Sequence, residues 1–132
     1  MTTTMAATAV IGTAARRPKA PAEIVMPIRR RPSGTIVALR GDLDIVTAPA
    51  LREHLLGVLG HSSGLLILDL SKVSFCDASG LAVLIGTHRR ATGLGITLHL
   101  AAPNPQVTKL LRITRLDRVL TVIPAPPCRD AA

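Results

Sequence analysis

The sequence predicts an α/β domain, a mostly parallel sheet with an antiparallel hairpin at its start, packed by helices. Three observations predict it. Short apolar or β-branched runs recur at Thr35 to Arg40, Leu65 to Leu70 and Ile96 to Ala101. Between and after them lie stretches with apolar residues at helical spacing: Leu51, Leu55, Val58 and Leu59; Leu81, Leu84, Ile85 and His88; Val107, Leu110 and Leu111. Finally, Leu65 to Leu70 is almost continuously apolar, which suits a strand covered on both faces, as in a parallel sheet.

Residues 1–22 are rich in Thr, Ala and Pro without periodicity and are expected to form a disordered tail. The folded domain is expected over 23–124, with 125–132 a loose end. Glu23 to Arg29 reads as an edge strand, where Pro27 is tolerable because an edge residue can lack a ladder donor. Pro32-Ser33-Gly34 signals a turn, and Thr35 to Arg40 is the second strand of a hairpin. Gly41-Asp42-Leu43-Asp44 leads into a loop. Either Thr47 or Asp44 can cap the next helix, Pro49 fits its first turn, and Gly60 ends it. After the strand at Leu65 to Leu70, a polar connection from Ser71 leads to a helix. Arg89 and Arg90 suit its C-terminal dipole, and Gly93 provides a left-handed stop. Ile96 to Ala101 is a strand. Asn104 then caps a last helix with Pro105 at its first position, running from about Gln106 to Arg115. Val119 to Ile123 closes the pattern as a short strand.

Composition bounds the chemistry. The 132 residues fit one domain, and at 48% hydrophobic the chain is not of disordered type. One Phe and no Trp or Tyr leave a core of Leu, Ile, Val and Ala, and remove the aromatic platforms on which nucleic-acid bases stack. The net charge is +8, but residues 1–32 carry six basic side chains against Glu23 alone, leaving only +3 for the rest. The excess belongs to the N-terminal arm, so no direct DNA binding is expected. No apolar run reaches transmembrane length, and the positive charge of the first residues follows the mildly apolar segment, the reverse of a secretory signal. A cytoplasmic protein is expected. Cys76 and Cys128 form neither a disulfide framework nor a CxxC pair; Cys76 is a redox handle or, more simply, a small buried filler. His54 and His61 lack a third ligand and read as surface residues, so neither a metal nor any other cofactor is expected.

The chemically suggestive element is Asp77-Ala78-Ser79-Gly80, where the strand-loop segment becomes the helix. A helix N-terminus offers unpartnered N–H groups and the positive end of the macrodipole, so an anion on Ser79 would be tolerated there. Ser79 can instead simply cap the helix; if Asp77 is the cap, the Ser79 hydroxyl is left over. Both remain open on the sequence.

Asp69-Leu70-Ser71-Lys72-Val73-Ser74-Phe75-Cys76-Asp77-Ala78-Ser79-Gly80-Leu81 resembles the signature of the STAS domain family, and in particular the bacterial anti-sigma factor antagonists, whose pattern reads D-L-S-x-V-x-F-x-D-S/A-S-G-L. Gly41-Asp42-Leu43-Asp44 with Thr47-Ala48 resembles the family's upstream G-E/D-L-D-x-x-T/S-A element. The two matches, in order, place the resemblance over roughly Gly34 to Pro124. It implies a STAS fold, and a serine phosphorylated by a cognate anti-sigma factor that is itself a protein kinase; that serine is Ser79. It implies a docking surface made of Asp42, Asp44, Thr47, Asp77, Ala78, Ser79, Gly80 and Leu81. Ala78 stands where many members carry a second hydroxyl, leaving one acceptor in the tetrapeptide. Arg115 stands where relatives commonly have glycine, at a cost if that position needs positive φ.

No P-loop, GxGxxG, HExxH, CxxC or GxSxG pattern occurs, and Ser79 has no histidine near it in sequence, so an enzyme is not expected. The expected function is that of an anti-sigma factor antagonist, which binds an anti-sigma factor serine kinase, releases its sigma factor, and is switched off by phosphorylation of Ser79. The alternative is a STAS scaffold subunit of a signalling assembly, or a transporter accessory.

Overall fold

The computed structural model describes residues 28–31 and 34–126. Strand β1 (Ile28–Arg31) runs antiparallel to β2 (Gly34–Leu43). Helix α1 (Ala48–Gly60), strand β3 (Leu65–Cys76), helix α2 (Ala78–Gly93), strand β4 (Thr97–Ala101), helix α3 (Pro105–Ile113), a single 3₁₀ turn (Leu116–Arg118) and strand β5 (Thr121–Ile123) follow. The five strands lie in the order β1-β2-β3-β4-β5, and every pair from β2 onward is parallel.

This order places the helices. Each parallel connection steps one strand in the same direction, and right-handed crossovers then bring all the connecting helices to the same face. The main core bears this out, joining Leu51, Leu55, Val58 and Leu59 of α1, Leu81, Val83 and Leu84 of α2, and Val107 and Leu111 of α3 to Leu39, Leu68, Leu70 and Leu100 of the sheet. A smaller cluster of Ile36, Ile67 and Ala101 contains strand residues only, on the opposite face. Because β3 carries buried side chains on both faces over Leu66 to Leu68, it reads as a continuous apolar run.

Several boundaries differ from those the sequence predicts, each for a local reason. The edge strand predicted over Glu23 to Arg29 is described from Ile28 to Arg31, and its earlier residues lie outside the described residues, as do Pro32 and Ser33 of the predicted turn. Strand β2 continues through Gly41, Asp42 and Leu43 instead of entering a loop, and β3 continues through the polar stretch to Cys76. The two extensions pair with one another, Gly41 with Val73 and Leu43 with Cys76. Register shifts at Ala38/Arg40 and Gly41/Asp42 break the simple alternation that a strand pattern relies on. Helix α2 runs through Gly93; the left-handed glycine is Gly95, at φ 77°. Helix α3 ends at Ile113 instead of Arg115. Arg115 adopts φ 65°, the left-handed conformation that glycine would take without strain.

Candidate functional site

The site lies where the parallel strands β2 and β3 end, the edge at which α/β sheets generally present their ligand-facing loops. Its centre is the corner from β3 into α2. Asp77 is the N-cap of α2: it has extended backbone (φ −114°, ψ −170°), and its Oδ1 accepts hydrogen bonds from the N–H of Ser79 (2.8 Å) and of Gly80 (3.2 Å). Of the two capping arrangements open on the sequence, the molecule uses Asp77. Ser79 is therefore the second helical residue. It is half-buried, and its hydroxyl has no hydrogen-bond partner among the described residues.

Gly80 explains why the corner takes this shape. A Cβ at Gly80 would stand 2.6 Å from Leu43 Cβ and 2.8 Å from its carbonyl carbon, closer than real contacts allow. The first turn of α2 thus lies directly on the end of β2. The Leu43 carbonyl also accepts a hydrogen bond from Asp77 N–H (3.0 Å). Glycine is required here for close approach, since no larger residue leaves room for the β2 backbone.

That approach brings the loop after β2 beside Ser79. Asp44 and Thr47 shape this loop, and both are only 3% exposed. Asp44 Oδ1 accepts from the N–H of Val46 (3.0 Å) and of Thr47 (3.1 Å). Thr47 Oγ1 accepts from Asp44 N–H (2.9 Å) and donates to the Asp42 carbonyl (2.8 Å). Thr47 occupies the N-cap position of α1, but its side chain serves the loop and makes no cap bond. Asp42 is half-buried, Ala78 is exposed, and Leu81 is 4% exposed in the core. Of the eight residues, Ala78 is exposed and Asp42, Asp77 and Ser79 are half-buried, whereas Asp44, Thr47, Gly80 and Leu81 are buried and build the frame.

The loop also exposes apolar side chains that sequence reasoning passed over. Ile45 is 72% exposed and Val46 52%, held outward by the Asp44–Thr47 bonds. Phe75, the chain's one aromatic residue, is 40% exposed and pairs in the ladder with Asp42. Ile45 and Val46 are thus two consecutive large apolar side chains turned to solvent beside the candidate corner. The signal was present in the sequence as two β-branched residues inside a polar loop, Asp44-Ile45-Val46-Thr47, where turn chemistry alone would place polar ones.

Other groups have ordinary roles. Burial first, and the charge of Asp77 second, push the Cys76 thiol up to about 12, so Cys76 stays protonated and is a poor nucleophile. His54, within α1, and His61, just past its end, each bond back to a carbonyl of that helix, Ala50 (2.8 Å) and Gly57 (3.1 Å). Among the described residues no group of three or more His, Cys, Asp or Glu could hold a metal ion, and no helix is long and apolar enough to cross a membrane.

Comparison with known proteins decides the family. The STAS domain model matches residues 24–126. The chain belongs to the STAS domain family. It is 31% identical over 86 residues to an anti-sigma-B factor antagonist of Bacillus subtilis, covering 65% of this chain and 78% of that protein. It is 25% identical over 99 residues to the anti-sigma-F factor antagonist RsfB of Mycobacterium tuberculosis, covering 75% of this chain and 80% of that one. The crystal structure of an anti-sigma factor antagonist from Mycobacterium paratuberculosis superposes with a TM-score of 0.71 at 28% identity, over 82% of this chain and 92% of that chain. This STAS domain is thus related to the anti-sigma factor antagonists, proteins named for a binding role and not for a catalysed reaction.

Proposed function

We propose that this STAS domain is an anti-sigma factor antagonist that docks onto an anti-sigma factor kinase, frees the sigma factor held there, and is switched off when Ser79 is phosphorylated. One observation carries the reading. Asp77 meets the capping requirement of α2, which leaves the Ser79 hydroxyl unspent at the surface. A serine used as a cap would be a structural group; this one is available for transfer of a phosphoryl group.

The surroundings suit a charge-controlled docking face. Unmodified, the loop after β2 offers Ile45 and Val46 for burial, and Phe75 is exposed on β3 opposite Asp42. A phosphoserine adds about −1.5 to −2 charge at neutral pH. The N-terminal dipole of α2 accommodates that charge without unfolding the helix. Docking must then strip water from a dianion that lies next to the Asp77 carboxylate. A penalty of about 3 kcal/mol weakens binding by more than about a hundredfold, enough to empty the complex at fixed concentrations. The family resemblance supports the same residue, since its phosphorylated serine falls on Ser79.

Incubation with ATP and the cognate anti-sigma factor kinase tests the acceptor. Wild-type protein should take up one phosphate per chain, mapped to Ser79, and Ser79→Ala should take up none while still binding the kinase. A fully labelled Ser79→Ala would show that the acceptor lies elsewhere.

A further inference from the structure

Strand β3 is twelve residues long, but β4 pairs with it only over Leu65 to Asp69. Beyond that point the β4 side of β3 has no neighbouring strand, and side chains from the start of α3 take its place. Asn104 Nδ2 donates to the carbonyls of Val73 (3.0 Å) and Ser74 (3.2 Å), while its Oδ1 caps α3 at Val107 N–H (2.8 Å). Gln106 makes a closer imitation of a strand. Its Oε1 accepts from Cys76 N–H at 3.0 Å, and its Nε2 donates to the Cys76 carbonyl at 2.9 Å. One planar amide thereby supplies the donor and the acceptor that a paired strand residue would offer.

The location gives this bond pair a consequence. Cys76 immediately precedes Asp77, whose carboxylate holds the N–H groups of Ser79 and Gly80. On the opposite flank, the Leu43 carbonyl holds Asp77 N–H. The corner that carries Ser79 is therefore gripped by β2 on one side and by Gln106 on the other. Without Gln106, the Cys76 peptide groups would turn to water, and the cap would be anchored from β2 alone.

We propose that Gln106 is a positioning residue for Ser79: its amide clamps Cys76 and, through Asp77, fixes where the Ser79 hydroxyl is presented. The proposal rests on the reading of Ser79 as the phosphate acceptor. Gln106 acts through Cys76 and Asp77, so its loss should disorder the corner and spare the docking surface of Ile45 and Val46.

The test uses the full chain with Gln106→Met, which keeps length and removes the amide, and Gln106→Glu. Amide exchange is followed by NMR at Cys76, Ser79 and Gly80, with Val37 in the sheet centre as reference. Gln106→Met should speed exchange at Ser79 and Gly80 at least about tenfold relative to Val37. With the cognate kinase, it should lower kcat for Ser79 phosphorylation severalfold and leave KM nearly unchanged. Gln106→Glu should behave alike at neutral pH and regain protection as the pH falls through the carboxyl range, around 4.3, because a protonated carboxyl again offers one donor and one acceptor. Exchange that rises equally at Val37, stays unchanged at Ser79, or fails to recover in acidified Gln106→Glu would overturn the clamp. Wild-type protein left unlabelled by the kinase would overturn the acceptor reading, and the exchange experiment would still decide the clamp by itself.

Discussion

Replacing Gly80 with alanine should destabilise this domain, although the same change elsewhere in the same helix should stabilise it. An added Cβ at Gly80 meets the carbonyl oxygen of Leu43, and lies 2.6 Å from Leu43 Cβ. These are atoms of a central strand and cannot swing aside, so the first turn of α2 must lift from β2. Overpacking of this kind costs about 1–3 kcal/mol. Lifting the turn also stretches the bond from Asp77 N–H to Leu43 O, worth another ~0.5–1.5 kcal/mol. Against this, alanine gains at most ~1 kcal/mol in helix propensity. The net is a loss of about 2 kcal/mol, or a melting temperature lower by roughly 8–16 °C for a domain of this size. Gly86, in the middle of α2, has nothing within 4 Å of an added Cβ, so Gly86→Ala should gain about 0.5–1 kcal/mol. Urea titrations of the two variants and the wild type give both signs in one experiment. A Gly80→Ala midpoint equal to or above that of Gly86→Ala would refute the close approach of α2 to β2.

Three further outcomes follow from the same geometry. Arg115→Gly should raise stability by about 1 kcal/mol, read as a higher thermal midpoint, because Arg115 holds φ 65° where glycine is unstrained. Asp77→Ala removes the carboxylate bonds to Ser79 and Gly80 and should cost about 1–2 kcal/mol in a urea titration, with Asp77→Ser recovering most of it. The Cys76 thiol has its ordinary value of 9.0 raised to about 12, so the unfolded chain ionises first and stability should fall as pH rises from about 9 towards 12, with no contribution from this group below 9. In a Cys128→Ala background, folded protein should accordingly react with a disulfide reagent at pH 8 far more slowly than urea-unfolded protein does.

Much of the fold was legible because the helices and the buried half of β3 obey simple periods. Leu51, Leu55, Val58 and Leu59 are buried as their spacing predicts, and so are Leu81 and Leu84, although Ile85 and His88 are only half-buried and Val83, Thr87 and Ala91 broaden the buried face of α2. The second half of β3 was not legible. Ser71, Lys72 and Ser74 look like a connection because they are exposed, and what makes them strand is pairing with β2 across two register shifts, a long-range fact. For the same reason Gly41-Asp42-Leu43 reads as the start of a loop in the sequence and is strand in the fold. At the site, the residue types at Asp77 and Ser79 announce a helix start, but only the folded backbone, which aims the Ser79 and Gly80 N–H groups at the Asp77 carboxylate, distinguishes which of them caps it. Ile45 and Val46 escaped notice because an apolar residue in a sequence is by default assigned to the core, and here the Asp44–Thr47 bonds turn both outward. Gln106 carried no signal at all, since its partner lies thirty residues away along the chain.

The most direct measurement is the affinity of the full chain for its cognate anti-sigma factor kinase, by calorimetric titration, before and after stoichiometric phosphorylation at Ser79. The proposed switch predicts that the phosphate weakens binding by more than about a hundredfold while the circular dichroism spectrum and melting temperature remain close to those of the unmodified protein. Equal affinities for the two forms would contradict it, as would a loss of affinity accompanied by unfolding of the domain.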